Sequence, residues 1–131
     1  LSSAIDSALK GRPIRIRTPR RTLRSYVAVD ELLSLVLSML LDPQRPSLVF
    51  DSAGEDELEI DDLVNAVRLH LQRQVPCERP PRVDEEDRYL GARAPYAELL
   101  RHYHIESTSL REQILRTAHY IGQFPGADQP A

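Results

Sequence analysis

The sequence predicts a mixed α/β fold, with several helices around a few short strands, and three observations carry that expectation. Apolar residues recur at helical spacing in Ile60, Leu63, Val64, Val67 and Leu71, and again in Leu110, Ile114, Leu115, Ala118 and Ile121. β-Branched and aromatic residues gather in short runs, Ile14 with Ile16 and Tyr26 to Val29, of a length that suits strands. The chain has 131 residues, 41% hydrophobic and 28% charged, which is enough for one domain with a real core.

Taken in order, Ile5, Ala8 and Leu9 predict a short amphipathic helix that Gly11 closes and Pro13 forbids from continuing. Ile14 and Ile16 alternate with Arg15 and Arg17, giving a strand with one apolar and one basic face. Thr18 to Leu23 is expected as a loop. Tyr26, Val27 and Val29 favour an extended backbone and a second strand, and Asp30 is placed to accept the first free amide hydrogens of the helix that follows. That helix, Asp30 to Leu41, is so apolar that Leu32, Leu33, Val36 and Leu40 are expected to be largely buried. Asp42-Pro43 stops it. Leu48, Val49 and Phe50 predict a third strand running into a turn at Gly54.

The helix over Ile60 to Leu71 keeps Asp61, Asp62, Arg68 and Gln72 on or near its wet side. Val75 to Asp87 is charged and carries Pro76, Pro80 and Pro81, so a long surface loop is expected there. Tyr89 and Leu90 suggest a scrap of strand, and Pro95 to Tyr103 a short helix. Ser109 and Glu112 have the spacing of a capping box at the entry to the last helix. Phe124-Pro125-Gly126 ends that helix, and residues 125–131 are expected to form a disordered tail.

A net charge of −3 with both signs interleaved argues against broad nucleic-acid binding, which wants a basic face. One basic run stands out, Arg12, Arg15, Arg17, Arg20, Arg21 and Arg24, beside Lys10, the only lysine. It suits a solvated strand face, an anionic ligand, or nucleic acid and lipid headgroups. The single cysteine, Cys77, excludes an internal disulfide and a thiolate metal cluster, and nothing points to an oxidising compartment; a cytoplasmic protein is expected. The longest apolar run, Leu32 to Leu41 interrupted only by Ser34 and Ser38, is too short to cross a bilayer. Leu1 is not an initiator methionine, and LSSAIDSALKG looks like a helix entered from upstream, so a fragment is expected.

With these elements placed, three segments resemble the C-terminal half of an extended short-chain dehydrogenase/reductase, the group of NAD-dependent nucleotide-sugar epimerases and dehydratases. RSYVAVDE, Arg24 to Glu31, resembles the family's pattern of arginine, aromatic, two valines and two acids. VFDSAGEDELEIDDL, Val49 to Leu63, resembles the strand, glycine turn and helix that follow, with Asp51 where an asparagine is usual. Leu99 to Tyr120 resembles the closing short helix and the threonine-serine-leucine entry to the last one, here Thr108-Ser109-Leu110. The resemblance implies an α/β fragment whose dinucleotide-binding core is largely missing, with residues 1–124 forming the substrate-binding half. It implies a diphosphate or nucleotide site at Arg24, Arg82 and Tyr89, with the two arginines converging on one cleft and the Asp84 to Asp87 acids turned outward. Its further implications are a nucleotide-activated sugar as ligand, NAD or NADP bound by a missing N-terminal half, and a homo-oligomer for the whole protein; the charge balance and the short apolar run add the expectation of no nucleic acid and no membrane.

Departures accompany the matches. The loop before Arg24 is Thr18-Pro19-Arg20-Arg21-Thr22-Leu23 where the family is glycine-rich, and Leu90-Gly91 stands where alanine-aspartate is usual. Val83-Asp84-Glu85-Glu86-Asp87 would put negative charge beside a diphosphate. The sequence has neither a glycine-rich dinucleotide turn nor a tyrosine-x-x-x-lysine pair, so no catalytic residue is assigned to these 131 residues. The expected role is therefore the substrate-binding part of an oxidoreductase or isomerase, with a non-catalytic binding or assembly module as the alternative. Outside that reading, His102, His104 and His119 suit surface or packing roles better than a metal, Asp61-Asp62 and the acids of Glu55 to Glu59 suit the positive end of a helix dipole better than acid/base work or a calcium loop, and Ser109 suits a cap better than a nucleophile.

Overall fold

The structure, a computed structural model, describes residues 1–44 and 49–123. In chain order these form α1 (Ser2–Leu9), β1 (Ile14–Arg15), β2 (Arg21–Arg24), α2 (Val29–Leu41), β3 (Leu58–Glu59), α3 (Ile60–Leu71), β4 (Cys77–Glu78), β5 (Glu86–Tyr89), α4 (Arg93–His102) and α5 (Leu110–Gln123). The mixed α/β class expected from the sequence is what the described residues adopt. Leu48, the expected Phe124-Pro125-Gly126 stop and residues 125–131, expected as a disordered tail, lie outside the described residues.

Two small cores hold these elements. α1, α3 and α5 close around β1, burying Ile5, Ala8, Ile14, Ile16, Val64, Val67 and Ile114. β1 pairs in parallel with β4, so the proline-rich loop does contain ladder, through Ile14↔Cys77 and Arg15↔Glu78. The second core joins α2 to α4: Leu35, Ala53, Tyr96 and Leu100 are buried, with Phe50 stacked against Tyr96 at a centroid distance of 6.2 Å. The three-stranded sheet has the order β3-β2-β5, antiparallel on one side and parallel on the other.

That sheet corrects the sequence reading of residues 18–29. The strand is Arg21–Arg24, which takes in the last three residues of the expected loop and Arg24 beyond it, because β3 and β5 offer ladder partners there. Tyr26 to Ala28 carries no strand, and the Tyr26 carbonyl instead accepts the Gln113 amide. β-Propensity marked the right neighbourhood, and pairing decided which residues use it. Val49 and Phe50 likewise form no strand among the described residues. Asp30 is not the cap of α2: Ala28 holds that position, and the Asp30 carboxylate accepts the adjacent Glu31 amide and the Arg116 guanidinium instead. Glu59 is the side-chain cap of α3, accepting from the Asp61 amide. Ser109 accepts the Glu112 amide at 3.3 Å, whereas the Glu112 carboxylate turns to Arg116, so half of the expected box is made.

The burial expected for α2 is also corrected. Leu35 and Glu31 are its buried residues, while Leu33, Leu37, Leu40 and Leu41 are 55%, 57%, 59% and 83% exposed. The helix turns one narrow stripe toward α4 and leaves a broad apolar face uncovered. No helix among the described residues is long and apolar enough to cross a membrane.

Candidate functional site

Successive residues of a strand point to opposite faces, and this rule separates the charged groups around β2. Arg21 and Leu23 share one face with Glu59, Glu86 and Arg88, their neighbours in register on β3 and β5. Thr22 and Arg24 share the other with Asp87 and Tyr89.

On the second face, the half-buried Arg24 guanidinium donates to the Asp87 carboxylate at 2.6 Å and to the Leu23 and Asp87 carbonyls at 2.8 and 3.1 Å. Tyr89 stands in register with Arg24 and is 79% exposed. Two of the expected site residues are thus neighbours at the C-terminal end of parallel strands. Arg24 also acts on Tyr26, two residues on, where burial pushes the phenol up and the arginine charge partly offsets the rise.

The other face holds a dense ion cluster. Arg79 donates to Glu59 at 2.9 Å and Asp61 at 2.7 Å, and also to the Thr18 and Arg20 carbonyls. Glu59 further accepts from the Thr22 and Asp61 amides. Burial alone would raise the Glu59 carboxyl, but its hydrogen bonds from Asp61, Arg79 and Thr22 hold it below the usual carboxylate range. Desolvation would lower the Arg79 guanidinium, and its two acidic partners raise it above its ordinary value instead. Arg82 completes the cluster through Asp61 and, at 3.3 Å, Glu59.

The expected convergence of Arg24 and Arg82 is therefore not found. Arg24 lies on the Thr22 face with Asp87, and Arg82 is bound to Glu59 on the Leu23 face. The acids are not all turned outward either. Glu85, Glu86 and Asp87 pair with Arg20, Arg21 and Arg24 at 2.7, 3.0 and 2.6 Å. Val83-Asp84-Glu85-Glu86-Asp87 is the electrostatic complement of the Arg20-to-Arg24 run, laid beside it by the parallel ladder. Sequence reasoning missed Arg79, whose only signal was charge among the prolines of the loop after α3, and read Glu59 only as one of the acids at the start of that helix, where it does cap the first turn.

Backbone contacts explain Gly54 and Gly91. A Cβ on Gly54 would stand 2.1 Å from the Tyr26 carbonyl oxygen, and one on Gly91 2.4 Å from that of Ser52. Glycine at 91, one of the departures noted above, lets the chain after β5 pass against residues 51–52. Glu31, buried beneath α4, accepts from the Tyr96 hydroxyl at 2.9 Å and the Thr108 amide at 2.6 Å, and Gln113 donates to the Tyr26 and Thr108 carbonyls. These bonds fix the Tyr26 segment between α2 and α5. Burial, followed by the Glu31 bond and charge, pushes the Tyr96 phenol far up. Among the described residues no group of three or more histidine, cysteine and acidic side chains is assembled to hold a metal.

No family model matches the sequence, and no curated protein does. Solved structures do match in fold. UDP-glucuronic acid 4-epimerase from Bacillus cereus, in complex with UDP-glucuronic acid and NAD, superimposes with a TM-score of 0.73 at 17% identity, over 92% of this chain and 38% of that one. dTDP-glucose 4,6-dehydratase from Bacillus anthracis, in complex with NAD, gives 0.67 at 14% identity, again over 92% and 38%. UDP-glucose 4-epimerase from Stenotrophomonas maltophila, with bound NAD and formylated UDP-arabinopyranose, gives 0.67 at 16% identity, over 96% and 39%. The chain spans about two fifths of the length of these structures, and its fold is that of the C-terminal part of such extended short-chain dehydrogenase/reductase enzymes.

Proposed function

We propose that these residues form the C-terminal, substrate-binding part of an NAD- or NADP-dependent enzyme acting on a nucleotide-activated sugar as an epimerase, dehydratase or reductase. The observation that carries the reading is the fold match, which takes in nearly the whole chain while covering 38% of an epimerase solved with UDP-glucuronic acid and NAD. In this reading an N-terminal dinucleotide-binding half supplies the cofactor site and the catalytic groups, and packs on the exposed face of α2.

Arg24 and Tyr89 are the proposed diphosphate and nucleotide contacts. A guanidinium offers two parallel donors to phosphate oxygens, and an exposed tyrosine ring beside it offers a flat apolar surface to a base or sugar. The ligand would displace Asp87 from Arg24. Arg82, expected to share this role, is proposed instead to hold the loop before β5 through Asp61 and Glu59. The test is calorimetric binding of a nucleoside diphosphate to the full-length protein. Arg24→Ala should weaken it by about 1.5–3 kcal/mol, the worth of a hydrogen bond to a charged group, while Arg82→Ala should alter stability more than affinity.

One observation favours the alternative, a non-catalytic binding or assembly module: Arg24 is already neutralised by Asp87. Such a module would bind no nucleoside diphosphate, and the absence of binding heat in the parent and in Arg24→Ala alike would decide for it.

A further inference from the structure

Among the described residues the buried polar side chains are Thr22, Glu31, Glu59 and Gln113. Glu59 serves the arginine cluster, whereas Glu31 and Gln113 converge on the connector between β2 and α2. Glu31 is 5% exposed and accepts from two neutral donors, the Tyr96 hydroxyl of α4 and the Thr108 amide ahead of α5. A carboxylate is tolerated there because it lies in the first turn of α2 and beside the entry to α5, at the positive ends of both helices. The Tyr96 phenol, pushed far up, keeps its proton and so remains a donor. Thr108 is held from both sides: Glu31 takes its amide at 2.6 Å, and the Gln113 side-chain nitrogen donates to its carbonyl at 2.9 Å and to the Tyr26 carbonyl at 3.2 Å. Residues 25–28 carry neither helix nor strand, so the backbone leading from Arg24 to α2 takes its position from these bonds and from Gly54, whose missing side chain lets it lie against Tyr26.

We infer that Glu31 is a positioning residue for the nucleotide site: through Thr108 and Gln113 it holds the Tyr26 carbonyl, and with it the end of β2 that presents Arg24. The inference rests on the proposed function and adds to it a residue that touches no ligand. A guanidinium that must exchange Asp87 for a phosphate binds well only if it is presented in one place, because any freedom of its backbone has to be lost again on binding. The ladder fixes Arg24 in register with Tyr89, and the Tyr26 carbonyl, two residues on, fixes the chain where the ladder has ended. An apolar side chain at position 31 would leave the Thr108 amide and the Tyr96 hydroxyl without their acceptor in a buried place, and the Thr108 turn that Gln113 also grips would lose its anchor on α2.

The test is calorimetric binding of UDP to the full-length protein, with circular dichroism to check that each variant is folded. Glu31→Leu removes both acceptor oxygens and should weaken UDP by about five- to thirtyfold, the range of one or two lost hydrogen bonds. Glu31→Gln keeps an oxygen for the Thr108 amide and an amino group for the Tyr96 hydroxyl, and should recover most of the affinity. Gln113→Met breaks the link at its other end, leaves Glu31 with both donors, and should weaken UDP to a similar extent; it carries the test if Glu31→Leu does not fold. In an Arg24→Ala background either variant should add less than about twofold, since its effect passes through Arg24. Folded variants that bind UDP as the parent does overturn the inference. An equal loss with and without Arg24 also overturns it, and makes Glu31 a residue of stability alone. In both of those cases Arg24→Ala still binds more weakly than the parent. A parent that binds no UDP, or binds it indifferently to Arg24, instead overturns the proposed function and the inference with it.

Discussion

Arg24 and Asp87 meet at 2.6 Å on one face of the β2–β5 pair, and the same guanidinium reaches the Asp87 backbone carbonyl. The acid therefore occupies the donors that the proposed function assigns to a diphosphate. Both side chains are partly exposed, so the pair itself adds little to stability.

Asp87→Asn follows directly from that competition. Removing the carboxylate should leave stability nearly unchanged and raise nucleoside diphosphate affinity by up to about fivefold, the equivalent of about 1 kcal/mol no longer spent on the pair. Calorimetry of parent and variant checks it. Equal or weaker binding by Asp87→Asn would mean that Arg24 does not hold the ligand.

Glu59 should set part of the acid sensitivity of the fold. Its carboxyl is held below the usual carboxylate range in the folded protein, so the unfolded chain takes up its proton first as pH falls. The stability this adds is complete above the unfolded value, near 4.3 for a glutamate, and is lost as pH falls through the lower folded value. Glu59→Gln should cost roughly 1–3 kcal/mol at pH 7, because Arg79 keeps Asp61 but loses its buried partner, and should flatten the decline below about pH 4. Denaturant melts at pH 3, 4, 5 and 7 would reveal it; two parallel stability profiles would contradict the assignment.

The glycines offer a test of backbone packing with an internal control. Gly54→Ala and Gly91→Ala each drive a Cβ into a carbonyl oxygen of another segment, and should destabilise by about 1–3 kcal/mol, the usual range for overpacking. A Cβ on Gly122, inside α5, meets nothing within 4 Å, so Gly122→Ala should be neutral or stabilising by up to about 1 kcal/mol. Urea denaturation of the three variants distinguishes the cases.

How much of this was legible in the sequence depended on whether the deciding contact was local. α3 and α5 were readable because the spacing of Val64, Val67 and Ile114 is itself the core contact. The class of fold and its likeness to extended short-chain dehydrogenase/reductases were readable from the order of RSYVAVDE, VFDSAGEDELEIDDL and Thr108-Ser109-Leu110. β2 was not, since Arg21, Thr22, Leu23 and Arg24 become a strand only through partners 37 and 65 residues away, as in Thr22 with Glu59 and Arg21 with Glu86. The same distance hid the match of the 84–87 acids to the basic run. Arg24 beside Tyr89 was legible through the family pattern, and the pairing of Arg82 with Asp61 was not, because it depends on how the proline loop crosses the start of α3.

The leucines of α2 give the sharpest test of whether another body covers this face. Leu35 is fully buried, so Leu35→Ala should cost about 2–5 kcal/mol in any context. Leu33 and Leu40 are more than half exposed in the 131-residue chain, where their alanine variants should stay within about 0.5 kcal/mol of the parent. Val29, Leu33, Leu37, Leu40 and Leu41 form an exposed apolar stripe at helical spacing, and the 131-residue chain alone should self-associate and bind a hydrophobic dye. Leu33→Lys with Leu37→Lys should suppress both. If a dinucleotide-binding half packs on α2, as the proposed function requires, the full-length protein should instead behave as if the face were core. Leu33→Ala and Leu40→Ala would then cost about 2–5 kcal/mol there, and dye binding would vanish. Light scattering, dye fluorescence and denaturation of the two forms decide it. Alanine variants silent in both forms, with the parent chain monomeric and dye-free on its own, would mean that nothing docks on α2.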